Sequence, residues 1–184
     1  MKNILLSLFA LALLSTVSCN NDDDNNSGNP IDQLPPMTTT GENTIGCLVN
    51  GEPFTDSGLM NNFYQFVDGD YFLGINWQRG FSNDFEDSSI SLRRIEIQEG
   101  ETYLLNMSSI QNDLTGGSAG YVFSNSQESG EFETNENYFG FITFVRFDNT
   151  NNIMSGTFEF QAEDINNGSI VTITDGRFDL TFTN

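Results

Sequence analysis

The chain has 184 residues, with 26 acidic side chains against six basic ones, a formal net charge of −20 and no histidine. So acidic a surface lacks the cations that neutralise phosphates, which argues against nucleic acid as a partner and against direct attraction to anionic lipid surfaces. Without histidine there is no Ser-His-Asp or Cys-His catalysis and no imidazole for zinc, and Lys2 is the only lysine, which removes Schiff-base and Ser-Lys chemistry from the folded part.

Lys2 precedes an apolar run from Ile4 to Val17, which ends at Ser18 and Cys19. A basic start, about 7–15 apolar residues and a small residue before the cut make a secretory signal. The run falls short of the roughly 20 apolar residues that cross a bilayer. The cysteine at the cut predicts a lipoprotein: residues 1–18 are the signal peptide and Cys19 is the lipidation site. Thr16-Val17-Ser18-Cys19 resembles a lipobox, with Thr16 standing where leucine is usual. Each buried acyl methylene contributes about 0.8 kcal/mol, so two or three palmitate-like chains make a lasting anchor where one chain does not. Asn20 to Asn26, with Asp22–Asp24 inside it, resembles the signals that send lipoproteins of Bacteroidetes-type bacteria to the exterior face of the outer membrane. That is the expected location.

Residues 19–43 are rich in Asn, Asp, Thr and Pro (Pro30, Pro35, Pro36) and are expected to form a disordered tether behind the acylated cysteine. Residues 44–184 follow as a single domain. Alternation of period two recurs along it, with no helical period. Strands are predicted at 44–50, 62–67, 71–77, 89–98, 102–107, 119–124, 129–134, 139–147, 155–162, 169–174 and 177–182. In the strand 139–147 the predicted core face carries Phe139, Phe141, Val145 and Phe147. A phase change between Arg93 and Arg94 predicts a bulge. Asp68-Gly69 and Asp175-Gly176 read as hairpin turns, and 148–152 as the loop between two long strands. About 8–11 strands with regular turn signals predict an all-β, antiparallel β-sandwich or flattened barrel, with most of the 17 phenylalanines in its core.

With Cys19 lipidated, Cys47 has no disulfide partner and is expected to be a small buried hydrophobe. Paired carboxylates are the one catalytic scheme the composition leaves open, with Glu159, Asp179, Glu96 and Glu131 as strand-borne candidates whose ordinary place is the solvated face of a sheet. No catalytic, cofactor or metal site is assigned. The one ion the loops suit is a structural calcium, at Asp68-Gly-Asp70, Asp84-Phe-Glu-Asp87 or 148–152, though none has EF-hand spacing. A glycan site needs exposed aromatics, for which Trp77, Tyr64, Tyr121 and Tyr138 are the candidates.

Residues 43–51 (Asn-Thr-Ile-Gly-Cys-Leu-Val-Asn-Gly), Ser155-Gly-Thr-Phe-Glu-Phe160 and Ile173-Thr-Asp-Gly-Arg-Phe-Asp179 resemble a family of small Bacteroidetes-type surface lipoproteins of unknown function. The resemblance implies an all-β surface lipoprotein and carries no catalytic residues. Together these readings predict a lipid-anchored envelope protein whose domain is non-enzymatic and either binds a glycan or an outer-membrane protein partner, or is purely structural. A carboxylate-dependent glycan hydrolase is the remaining alternative.

Overall fold

The computed structural model describes residues 28–56, 61–109 and 114–184, so the signal peptide, Cys19 and the Asp22–Asp24 run lie outside the described residues. After one 3-10 turn at Pro30–Gln33 come eleven strands: β1 (Thr44–Val49), β2 (Glu52–Thr55), β3 (Phe63–Val67), β4 (Asp70–Phe81), β5 (Asp84–Arg93), β6 (Thr102–Met107), β7 (Gly116–Ser124), β8 (Ser129–Glu133), β9 (Gly140–Asp148), β10 (Ile153–Asp164) and β11 (Ile170–Thr181). They form one sheet in the order β2-β1-β11-β10-β9-β6-β7-β5-β4-β3, with β8 paired to both β10 and β7. Only β6 and β7 run parallel among the paired strands described. The sheet folds back on itself. Trp77 of β4 lies 5.1 Å from Phe158 of β10, Tyr64 of β3 meets Phe147 of β9 edge-on at 4.9 Å, and Phe63 bridges to Thr183 just beyond β11. The result is the all-β sandwich or flattened barrel expected, around one core.

Turn chemistry explains much of the strand order. At Asp68-Gly69 the backbone takes φ of 51° and 93°, the two positive values of a type I′ turn, and Val67 pairs with Asp70 across it. Asn50-Gly51 does the same at 50° and 90°, closing β1 onto β2. The sequence reading missed that hairpin. It also missed the turn at Ser82-Asn83, so Asp84–Asp87 lies on β5 rather than in a loop.

Three expectations are corrected. β9 has the opposite phase: Gly140, Ile142 and Phe144 point into the core, and Phe139, Phe141 and Val145 point out. Ser155 pairs with Arg146 and the next residue, Gly156, with Phe144, which leaves Val145 as a bulge. That bulge turns Phe147 inward, where it stacks on Phe182 at 5.5 Å. The inward phase depends on close approach, since a Cβ on Gly140 would fall 2.0 Å from the Glu159 carbonyl oxygen. Second, Asp175-Gly176 is no hairpin. β11 runs unbroken through it, with Asp175 at φ 54° as a bulge opposite β10. A left-handed Asp before Gly serves a bulge as well as a turn. Third, β5 ends at Arg93; Arg94 turns left-handed (φ 58°) and 94–98 leave the sheet, although Ile97 still enters the core.

The tether also ends earlier than predicted. Leu34 is buried, and Pro35 packs where Gly46 has no side chain; a Cβ there would come within 2.8 Å of Pro35 Cδ. Farther on, the Asp179 carboxylate accepts from the Thr38 hydroxyl (2.6 Å) and from the N–H groups of Thr40 (3.0 Å), Gly41 (2.8 Å) and Glu42 (3.2 Å). Arg146 donates to the Thr39 carbonyl at 2.6 Å. Residues 34–43 are therefore a strap bound across β9–β11, joined to the fold by hydrogen bonds that composition does not reveal.

Candidate functional site

The register that fills the core also decides what faces out. On β9–β11, Gly140, Ile142 and Phe144 pair inward with Phe160, Phe158 and Gly156. Between these rows Phe141 pairs with Glu159 and Thr143 with Thr157, which in turn pairs with Arg177. β6 extends the outer face, with Leu104 beside Phe141 and Thr102 sharing a 2.8 Å hydroxyl contact with Thr143. Phe139 and Phe141 stand edge to face, ring centroids 5.9 Å apart. Phe139, Phe141, Leu104, Val145 and the strap's Met37 are each 41–61% exposed.

The surface between them is concave. A hollow of about 400 Å³ is lined by Met37, Phe141, Thr157, Glu159 and Arg177. A second of about 200 Å³, floored by Phe139, Phe141, Glu159, Gln161 and Thr172, shares Phe141 and Glu159 with it. A third of about 240 Å³ lies where Met37–Thr39 of the strap pass over Val145 and Ser155. Shared walls make these one trough across β9–β11. An exposed phenylalanine forgoes about 1.5–3 kcal/mol of burial. Grouped apolar chains of this kind, rimmed by polar ones, mark interaction surfaces.

The residues singled out from sequence are dispersed. Cys19 lies outside the described residues. Trp77, Tyr64 and Tyr121 are core residues, and only Tyr138, next to Phe139, is half-exposed. Burial raises the Tyr64 phenol to about 12, and its oxygen accepts from the Ile97 N–H. Burial, with a hydrogen bond to Glu86, pushes Tyr121 up as well. Cys47 is fully buried, and its thiol is pushed up by burial and next by the Glu86 charge. Of the four carboxylates, Glu159 lines the trough and Glu131 a separate hollow on β5, β7 and β8. Glu96 lies in the β5–β6 connection, and Asp179 is buried under the strap. Burial pushes the Asp179 carboxyl up; the bonds from Thr38, Gly41, Glu42 and Thr40 outweigh this and hold it below the usual aspartate range.

Two of the three calcium candidates are engaged within the protein. Asp70 faces Arg94 at 3.3 Å. Asp148 caps its own turn, accepting from the Thr150 and Asn151 N–H groups, the Asn151 side chain and Arg146. Bonds from the Asn151 side chain and then Arg146 hold its carboxyl far below the usual range. Among the described residues, no group of three or more Asp, Glu, Cys or His side chains is placed to hold a metal ion.

The sequence reading passed over Phe139, Phe141 and Met37 as site residues. The available signal was Gly140: an inward glycine on β9 fixes Phe139 and Phe141 as outward. Fold and face define an all-β domain with an amphipathic trough on the outer side of its sheet. No family model, curated protein or solved structure matches the chain.

Proposed function

We propose that the chain is a lipid-anchored cell-envelope lipoprotein whose β domain is a non-enzymatic glycan-binding module, tethered through Cys19 at the exterior of the outer membrane. The observation that carries the binding reading is the exposed Phe139–Phe141 pair, set in a trough with Glu159, Gln161, Thr157 and Arg177. A sugar ring presents C–H faces and hydroxyls together. Its C–H face stacks on a phenyl ring, while carboxylate, amide and guanidinium groups take the hydroxyls. The 400 Å³ hollow exceeds the size at which ligand pockets begin, about 300 Å³. A shallow, open trough suits a chain lying along the sheet better than a small molecule enclosed in it.

The test is glycan-array and calorimetric binding by the unlipidated chain (Cys19→Ala), with Phe139→Ala/Phe141→Ala beside it. A polysaccharide ligand is expected whose affinity falls at least tenfold, about 1.4 kcal/mol, in the double variant. Undiminished binding by that variant removes the trough from the reading, and no glycan ligand at all sinks it. The address is tested separately: Cys19→Ala should release the protein from membranes into the soluble fraction.

A further inference from the structure

A second concavity, about 200 Å³, lies on the outer face of β5, β7 and β8 and shares no residue with the trough. Its shape follows from register. Asp87, Val122 and Glu131 form one cross-strand row, Ser89, Gly120 and Glu133 the next, and Ser91 and Ser118 the third. Serine and glycine make the floor low, and three carboxylates stand around it. Small residues and acids alone would be an ordinary solvated face. Ser118 is what departs from that. It is 7% exposed, it lines the hollow, and no hydrogen bond among the described residues engages its hydroxyl. Glu133 accepts from Ser109, whose carbonyl accepts from Arg93 at 3.4 Å; no arginine lines the hollow itself. Burial raises the Asp87 carboxyl above its ordinary range, as expected for a half-buried acid without a counter-charge.

We propose that this hollow is a binding site for a guanidinium group. Every side-chain polar atom lining it accepts hydrogen bonds, and its carboxylates supply the opposite charge. A single metal ion needs its ligands gathered at 2.3–2.6 Å or less, and the acids here are not gathered so closely. Acceptors spread over neighbouring rows instead match the planar guanidinium, whose five N–H donors fan out to several oxygens at about 2.8 Å. An ammonium ion, a compact point charge, reaches fewer of them. Arginine derivatives and the arginine side chain of a protein carry the same group, and both can enter an open hollow.

The test titrates the unlipidated chain with agmatine, a capped Gly-Arg-Gly peptide, N-butylurea as the neutral isostere, and calcium chloride, following backbone amide shifts by NMR. Agmatine or the peptide should shift the Ser89, Ser118 and Gly120 amides, more weakly as salt rises. Asp87→Asn and Glu131→Gln should each weaken this several-fold, and both side chains are partly exposed, so the fold should persist. Ser118→Ala should weaken it with all three carboxylates intact. Equal affinity for agmatine and peptide assigns recognition to the group alone; a tighter peptide assigns it to a protein's arginine. Equal binding of N-butylurea, shifts with calcium only, or no shift with any probe overturns the proposal.

Discussion

The outer faces of β9–β11 and of β5, β7 and β8 belong to one sheet and obey one register, but they carry opposite chemistry. The first presents Phe141, Val145 and Met37 around polar side chains, and the strap crosses it. The second presents serines, a glycine and carboxylates, and residues 28–43 do not line it. Their inner sides are alike. Behind the trough, Gly140, Gly156 and Gly176 lie against the Phe160, Phe178 and Phe158 side chains, with no space for a Cβ. Behind the hollow, Gly117 on β7 and Gly130 on β8 are as crowded: a Cβ on them would fall 2.4 Å from the Leu104 carbonyl oxygen and 2.5 Å from the Phe132 ring. The core therefore constrains both halves, and the trough half carries large apolar side chains on its outer face as well. The difference shows that packing specifies every second residue of a strand and leaves the chemistry of the others open.

The sharpest way to break this comparison is to exchange the two sides of β9. Phe144→Ala removes a fully buried ring that touches Tyr103, Phe147 and Phe178. Phe141→Ala removes one that is 41% exposed. Urea unfolding should show a loss of about 3–5 kcal/mol for the first and about 1 kcal/mol or less for the second. Equal losses would mean that β9 has been assigned the wrong phase.

A smaller effect separates the strapped face from the open one. Asp179→Asn removes the charge that gathers Thr38, Thr40, Gly41 and Glu42, and should lower stability by about 2 kcal/mol. Its folded-state pKa lies below the unfolded value of about 3.9. The contribution is thus complete above that unfolded value and disappears as pH falls through the folded one. Wild type and variant should differ at pH 7 and converge in acid, with the strap cut by protease faster in the variant at neutral pH. A gap that stays constant down to pH 2 excludes the carboxylate as its source.

Local signals were the ones legible in advance. Asp68-Gly69 needs only its own two residues to turn, and 102–107 emerged with its predicted bounds. Asp175-Gly176 has the same backbone requirement, but its partner strands sit on either side of it, so it became a bulge. The phase of β9 was hidden because a bulge at Val145 puts phenylalanines on both faces. The strap was hidden because its bonds to Asp179 span 137–141 positions and three of the four use backbone N–H groups, which carry no residue signature. Phe139 and Phe141 were visible as residues. That they face outward follows from Gly140 lying inward against Phe160, a contact made across strands.

The smallest expected effect compares two buried serines. Ser88 on β5 donates to the Gly120 carbonyl at 2.8 Å, whereas Ser155 on β10, beneath the strap, has a buried hydroxyl with no partner among the described residues. Both are 1% exposed. Replacing Ser88 by alanine strands a carbonyl and should lower stability by about 1 kcal/mol. Replacing Ser155 removes a polar group that is already unpaired, so Ser155→Ala should be neutral or stabilise by up to about 1 kcal/mol. Calorimetric melting resolves the two, because 1 kcal/mol moves Tm by about 2–4 °C in a chain of this length. A loss at Ser155 equal to that at Ser88 would show that its hydroxyl is satisfied beneath the strap. The cavity under Met37–Thr39 would then be a polar, occupied part of the fold, and the trough would end at Met37 instead of passing under the strap.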